Sequence, residues 1–190
     1  YGDHRDLHSF PTRALPISLL ELMLCIAVFV TTAGFAAPAM KSLVTSVQLM
    51  NFTRHLAHSL HWARVHALTH SVPVGVCPRR APDADQCGGG YHQGWLIFQD
   101  LDDNRRLDAS DVVIRSDLGA ESFIRVFNRA GDSIVTRSIF FAANGTSGSA
   151  MTLAPCPIDA DTEYSSGIVL NNIGRVSVRS NLSACHDQNS

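Results

Sequence analysis

Charge is scarce in this sequence. Only 17% of its 190 residues are charged and the formal net charge is -2, which fits neither a strongly basic nucleic-acid binder nor a charge-driven disordered chain. Internal repeats and low-complexity tracts are missing, so no solenoid or repetitive linker is expected. The five cysteines form no CxxC pair and no zinc-ribbon spacing, which argues against a redox dithiol or a metal–thiolate centre. Serine, histidine and aspartate are plentiful, but they occur in no nucleophile-elbow, zincin or phosphate-loop context. Gly88-Gly89-Gly90 is not followed by Lys-Ser/Thr and reads as a flexible turn beside Cys87. The expectation is a protein that is not an enzyme and carries no cofactor and no metal.

What the sequence does have is an uneven distribution of apolar residues. From Leu22 to Met40 no side chain is charged, and Leu, Ile, Val, Phe and Ala dominate. That run approaches the roughly 20 residues a helix needs to cross a bilayer. Ala36-Ala37-Pro38-Ala39 superficially offers a secretory cleavage site, but the helical apolar pattern continues beyond it, so a retained membrane helix is the reading. Ser18 and Glu21 have the spacing of a capping box at its start. Beyond Pro38 the pattern narrows to a stripe, Leu49, Phe52, Leu56, Leu60, Ala63 and Ala67, at helical spacing. One long helix is thus expected to change solvent partway, its first half facing lipid and its second laying one face on a water-exposed domain. Val72-Pro73 ends it.

After that point the period becomes that of strands. Candidates are Val74–Cys77, Trp95–Gln99, Val112–Arg115, Phe123–Phe127, Ile139–Ala142, Met151–Ala154, Gly167–Leu170 and Arg175–Arg179, separated by Gly, Asn, Asp and Pro clusters. The predicted fold is α+β: a long N-terminal transmembrane helix packed on one antiparallel, β-rich head. Residues 1–16 lack periodicity and read as a leader or a non-native segment, 17–71 as the helix, membrane-spanning to about residue 40, and 72–190 as the head. Cys25 lies in the apolar run and reads as a small buried hydrophobe. The even set Cys77, Cys87, Cys156 and Cys185 suggests two disulfides in an exported domain. Cys77 with Cys87 is favoured because a short loop closes locally, leaving Cys156 with Cys185; the two other pairings stay open.

Three local patterns compete for attention. Asp100, Asp102, Asn104, Asp108 and Asp111 place oxygen donors like a calcium loop, but Arg105 stands where such a loop wants glycine and Asp111 replaces its bidentate Glu. A solvated turn is the preferred reading. His66 and His70 lie one helical turn apart without a third ligand fixed nearby, and His55, His58 and His61 flank the apolar stripe. Arg79-Arg80, Arg105-Arg106, Arg175 and Arg179 are the candidates for a basic surface.

A lone carboxylate at the edge of an apolar helix demands a partner, or a place at headgroup level, because a charge in hydrocarbon costs several kcal/mol. Ile17-Ser18-Leu19-Leu20-Glu21-Leu22-Met23 resembles the start of mature type IV pilins and pseudopilins, and Pro38 falls where these carry a helix-softening proline. Leu60 to Ala67, Pro73-Val74-Gly75-Val76-Cys77-Pro78, Gly94-Trp95-Leu96-Ile97-Phe98-Gln99-Asp100, Ile139-Phe140-Phe141 with Asn144-Gly145, and Gly174-Arg175-Val176 resemble the GspH/FimT branch of that family, in order.

The resemblance implies a minor pilin or pseudopilin of a type IV pilus or type II secretion system, held single-pass in the inner membrane with its head in the periplasm until it enters a filament. It implies other pilins or pseudopilins as partners. It also implies a prepilin peptidase that cuts between Pro16 and Ile17 and methylates the new amine, which Glu21 of a neighbouring subunit then meets. Pro16 departs from the family, which has glycine there. Some FimT-type proteins bind DNA through a Gly-Arg-x-Arg pattern; here Gly174-Arg175-Val176-Ser177 lacks the second arginine and Arg179 comes two positions late. A DNA-binding minor pilin and a membrane-tethered enzyme are the alternatives.

Overall fold

The computed structural model describes residues 18–120, 122–158, 165–183 and 185, and within them all side chains except those of 35–39, 41, 165, 181 and 183. Helix α1 (Leu19–His70) is followed by strands β1 (Val74–Pro78), β2 (Gly94–Gln99), β3 (Val112–Leu118), β4 (Ile124–Phe127), β5 (Ile139–Phe141), β6 (Met151–Pro157), β7 (Ser165–Leu170) and β8 (Val176–Ser183). A short 3-10 turn, Tyr91–Gln93, leads into β2. The carbonyl of Ser18 accepts the Leu22 amide at 3.0 Å, which places Ser18 at the N-cap of α1 and Glu21 at its third helical position. At the other end Ser71 adopts φ 54, a left-handed cap, and Pro73 two residues on prevents continuation.

The chain divides into two compact units, Tyr1–Leu43 and Val44–Ser190. Within the second, the helix stripe Phe52, Leu56, Leu60, Ala63 and Ala67 is buried in one core cluster with Val74, Val76, Trp95, Ile97, Ile139 and Phe141 from β1, β2 and β5 and with Ile124, Val126, Leu153, Ile168 and Leu170 from β4, β6 and β7. Leu56 and Leu60 are fully buried, and each such side chain contributes about 1.5–3 kcal/mol relative to exposure.

The antiparallel, β-rich head expected from sequence consists of two four-stranded sheets, in the orders β3-β2-β1-β5 and β4-β6-β7-β8. The reason is coverage. Eight strands side by side would span roughly 34 Å at about 4.8 Å per interval, whereas a helix is only about 10–12 Å across. Two smaller sheets bury their inner faces against one helix and against each other. The outer face of β1 and β2 is covered too: Cys77, Leu96 and Phe98 form a second cluster beneath Cys87, Leu107 and Phe140. Disulfides join Cys77 to Cys87 across a sequence separation of 10 and Cys156 to Cys185 across 29. The second ties the segment after β8 to a small cluster of Phe127, Ala154, Cys156 and Cys185.

Candidate functional site

The first turns of α1 expose apolar side chains around the whole helix, among them Leu20, Met23, Leu24, Phe29 and Val30. Thr31 and Thr32 do not interrupt this surface, because their hydroxyls donate back to the carbonyls of Val28 at 2.9 Å each. Glu21 is the one ionisable carboxylate in this stretch and is exposed. Cys25 is exposed here rather than buried as expected, since among the described residues this part of the helix has no neighbour to cover it. Among the described residues no helix is long and apolar enough to cross a membrane. The expected run from Leu22 to Met40 includes 35–39, whose side chains lie outside the described residues, as do Pro16 and Ile17.

On the second half of α1 the polar side chains converge on β3. Asp117, almost fully buried, accepts the Ser59 hydroxyl at 3.1 Å, the Arg115 guanidinium at 2.8 Å and His55 Nε2 at 3.2 Å. The order of contacts matters: the carboxylate lies between serine and imidazole, and no base stands between Ser59 and its acid as a hydrolytic triad requires. The cluster ties helix to sheet. Sequence reading did not single it out, although His55 and Ser59 at i, i+4 and Arg115 and Asp117 at i, i+2 share faces.

Farther along, Trp62, His66 and His70 form a ladder, with ring centroids 5.0 Å and 3.9 Å apart. His66 Nε2 meets the Gln99 amide at 3.0 Å. Burial, and secondarily the neighbouring His70, hold His66 below its ordinary value of 6.5. The two imidazoles stack nearly parallel, at 18°, so their nitrogens do not converge on one ion as ligands do.

The aspartate-rich loop after β2 is knit together by its own carboxylates. Asp100 is buried and accepts the amides of Asn104 at 3.1 Å and Arg105 at 3.0 Å. Asp111 accepts those of Leu101 and Asp108. Desolvation raises the Asp100 carboxyl above its ordinary value while the two amide bonds pull it down. Arg105 does take the left-handed conformation, φ 60, that glycine would fill in a calcium loop. Asp100, Asp102 and Asp111 bring carboxylate oxygens within 4.8 Å of one another. Those oxygens serve the loop's own amides, and the loop carries Leu107 onto the outer face of β1 and β2.

The arginines do not make one surface. Arg79 is buried, its Nε donating to Ala84 O at 2.8 Å within the Cys77–Cys87 loop. Its backbone also explains Gly89, since a Cβ there would lie 2.0 Å from Arg79 O; this is close approach rather than looseness. Arg179 is exposed in β8, an edge strand, and Arg175 is exposed just before it, because the strand begins one residue later than expected, at Val176. The turn before β8 is held by Arg64 of α1, whose guanidinium donates to Gly145 O at 2.9 Å and Ile173 O at 3.0 Å.

A model of the family described as type II transport protein GspH matches residues 53–174. The chain belongs to the GspH family. The matched region takes in the helix stripe from Leu56 onward, both sheets up to the turn before β8, and the Asp117 and Arg64 ties of this GspH-family chain. Among solved structures it resembles the type IV minor pilin FimU of Pseudomonas aeruginosa strain PAO1, in one crystal form at TM-score 0.55 and 16% identity over 73% of this chain and 96% of that one. A second crystal form gives 0.54 and 17%, over 73% and 100%. The minor pseudopilin EpsH of the Vibrio cholerae type 2 secretion system gives 0.48 and 11%, over 70% and 96%. No curated protein matches the chain in sequence. At these identities the FimU likeness establishes the fold, a helix followed by antiparallel sheets.

Proposed function

We propose that this GspH-family chain is a minor pilin or pseudopilin that enters a type IV pilus or a type II secretion filament through its N-terminal helix. The observation that carries the reading is a helix start exposing apolar side chains on every side with a single carboxylate, Glu21, in its first turn. Such a surface is stable against lipid or against like helices and poorly stable in water. The helix therefore rests in the inner membrane with the head in the periplasm, and exchanges lipid contacts for helix contacts on assembly.

Glu21 sets register. An ionised carboxylate in an apolar bundle costs several kcal/mol unless paired, and the amine freed at Ile17 of a neighbouring subunit by a prepilin peptidase is the partner proposed. In Glu21→Ala the full chain should stay in the membrane fraction at normal abundance and vanish from sheared filaments. Normal incorporation of that variant would remove Glu21 from the mechanism.

The DNA-receptor reading draws support from one feature: Arg175, just before β8, and Arg179 within that edge strand are both exposed. It calls for salt-dependent DNA binding lost in Arg175→Ala with Arg179→Ala; binding unchanged by that double substitution would assign DNA elsewhere or nowhere.

A further inference from the structure

Strand β6 has different neighbours along its length: its residues 154–157 pair with β4 and 151–153 with β7. β4 stops at Phe127, opposite Ala154, because the chain turns back at Asn128. The Asn128 carbonyl accepts the Gly131 amide at 3.1 Å and its own amide donates to Ser133 O at 2.9 Å. Along an antiparallel strand, successive residues turn their N–H and C=O groups to alternate sides. Val126 O accepts the Val135 amide at 2.9 Å, on the side away from β6, so Phe127 faces Ala154. Two residues earlier on β6, Thr152 turns its N–H and C=O the same way as Ala154, where β4 has already left. Among the described residues no backbone group meets them there.

The gap is an open groove of about 610 Å3 between the segment 128–137 and residues 150–152. Its apolar side chains include Ile134, 42% exposed, and the half-buried Met151. Arg129 and Arg137 also line it; both are exposed, and among the described residues neither guanidinium has a carboxylate partner. Asp132, in the same turn as Arg129, does not line the groove, and its carboxylate is held by the Asn128 amide at 2.6 Å. An unpaired strand edge, an apolar patch and two cations without anions therefore meet in one place.

We propose that this groove takes an extended acidic segment of a different filament subunit, laid in line with β4 as an added strand. The backbone of that segment pairs with Thr152, an apolar side chain meets Ile134 and Met151, and carboxylates reach Arg129 and Arg137. Strand addition of this kind draws affinity from main-chain hydrogen bonds and specificity from side chains. A phosphate would satisfy the arginines but leave the Thr152 edge unpaired, which is why a peptide is the occupant. The charges orient the contact more than they tighten it, and they weaken with salt. The proposal rests on the filament-subunit reading above, in which a minor subunit has other subunits rather than its own copies as neighbours.

The test uses the full chain in its native membrane with a photoreactive benzoylphenylalanine in place of Ile134, and separately in place of Phe29. From position 134 a product should form with another pilin-like subunit, and mass spectrometry should place the link in an extended segment beside acidic residues. Arg129→Glu with Arg137→Glu, which alters only exposed side chains, should reduce the product about tenfold. Thr152→Pro should do the same, because it removes an amide that faces the groove and none that faces β7. Links to nucleic acid, to lipid or to a second copy of this chain, or no link at all, would overturn the proposal. So would a product indifferent to the charge reversal, or one lost on charge reversal but kept in Thr152→Pro. The Phe29 probe keeps the two readings apart: helix links present while the Ile134 links fail would reject the groove contact and leave the filament reading standing, whereas loss of both would speak against the filament reading.

Discussion

Gly148 and Gly174 show how much one side chain's surroundings decide. Both sit at positive φ, 63 and 77, where an L-residue costs about 1–2 kcal/mol. A Cβ on Gly148 meets nothing within 4 Å, but one on Gly174 would lie 2.0 Å from Gly145 O and 3.0 Å from Arg64 Nε. Gly148→Ala should therefore cost about 1–2 kcal/mol and Gly174→Ala at least twice as much, read as unfolding midpoints of the full chain in detergent. Equal shifts would mean that the Arg64 clamp does not hold the turn. The turn itself was legible, because Asn171-Asn172-Ile173-Gly174 is a local signal. Arg64 was not, because its carbonyl partners lie 81 and 109 residues away and no local pattern encodes such a tie. Asp117 escaped for the same reason, its helix partners being 62 and 58 residues distant.

Elements were more legible than their arrangement. All eight strands and the helix stripe follow from period and punctuation, since alternation and i, i+3/i+4 spacing are written in neighbouring residues. Their division into two sheets depends on which strands pair, as when β1 takes β5 across the second sheet's β4, and that is set by core geometry. The C-terminal end of α1 allows a test at this scale. His66 has its affinity for protons lowered by burial, then by His70, so the folded state binds fewer protons there than the unfolded chain. The sign follows: its contribution is complete above the unfolded value of 6.5 and is lost as pH falls below it. Unfolding free energies measured between about pH 8 and pH 5.5 should fall on acidification, part of the fall should disappear in His66→Gln, and His70→Ala should move the His66 titration upward by nuclear magnetic resonance. A His66 titrating at or above 6.5 would contradict the burial argument.

For the whole molecule, the head can be explained by its own contacts, and the start of α1 cannot. The head closes its core, satisfies its aspartate-rich loop and carries two disulfides. The start of α1 leaves Leu20, Phe29 and Val30 uncovered, with Glu21 exposed among them. Assembly with other helices of the same kind is the account given for that imbalance. Its most direct test is quantitative mass spectrometry of sheared, purified filaments from cells producing the full chain. The account predicts peptides of this chain at a low, fixed ratio to the major subunit in the filaments. Absence from filaments, with the intact chain recovered only as a monomer in solution, would contradict it.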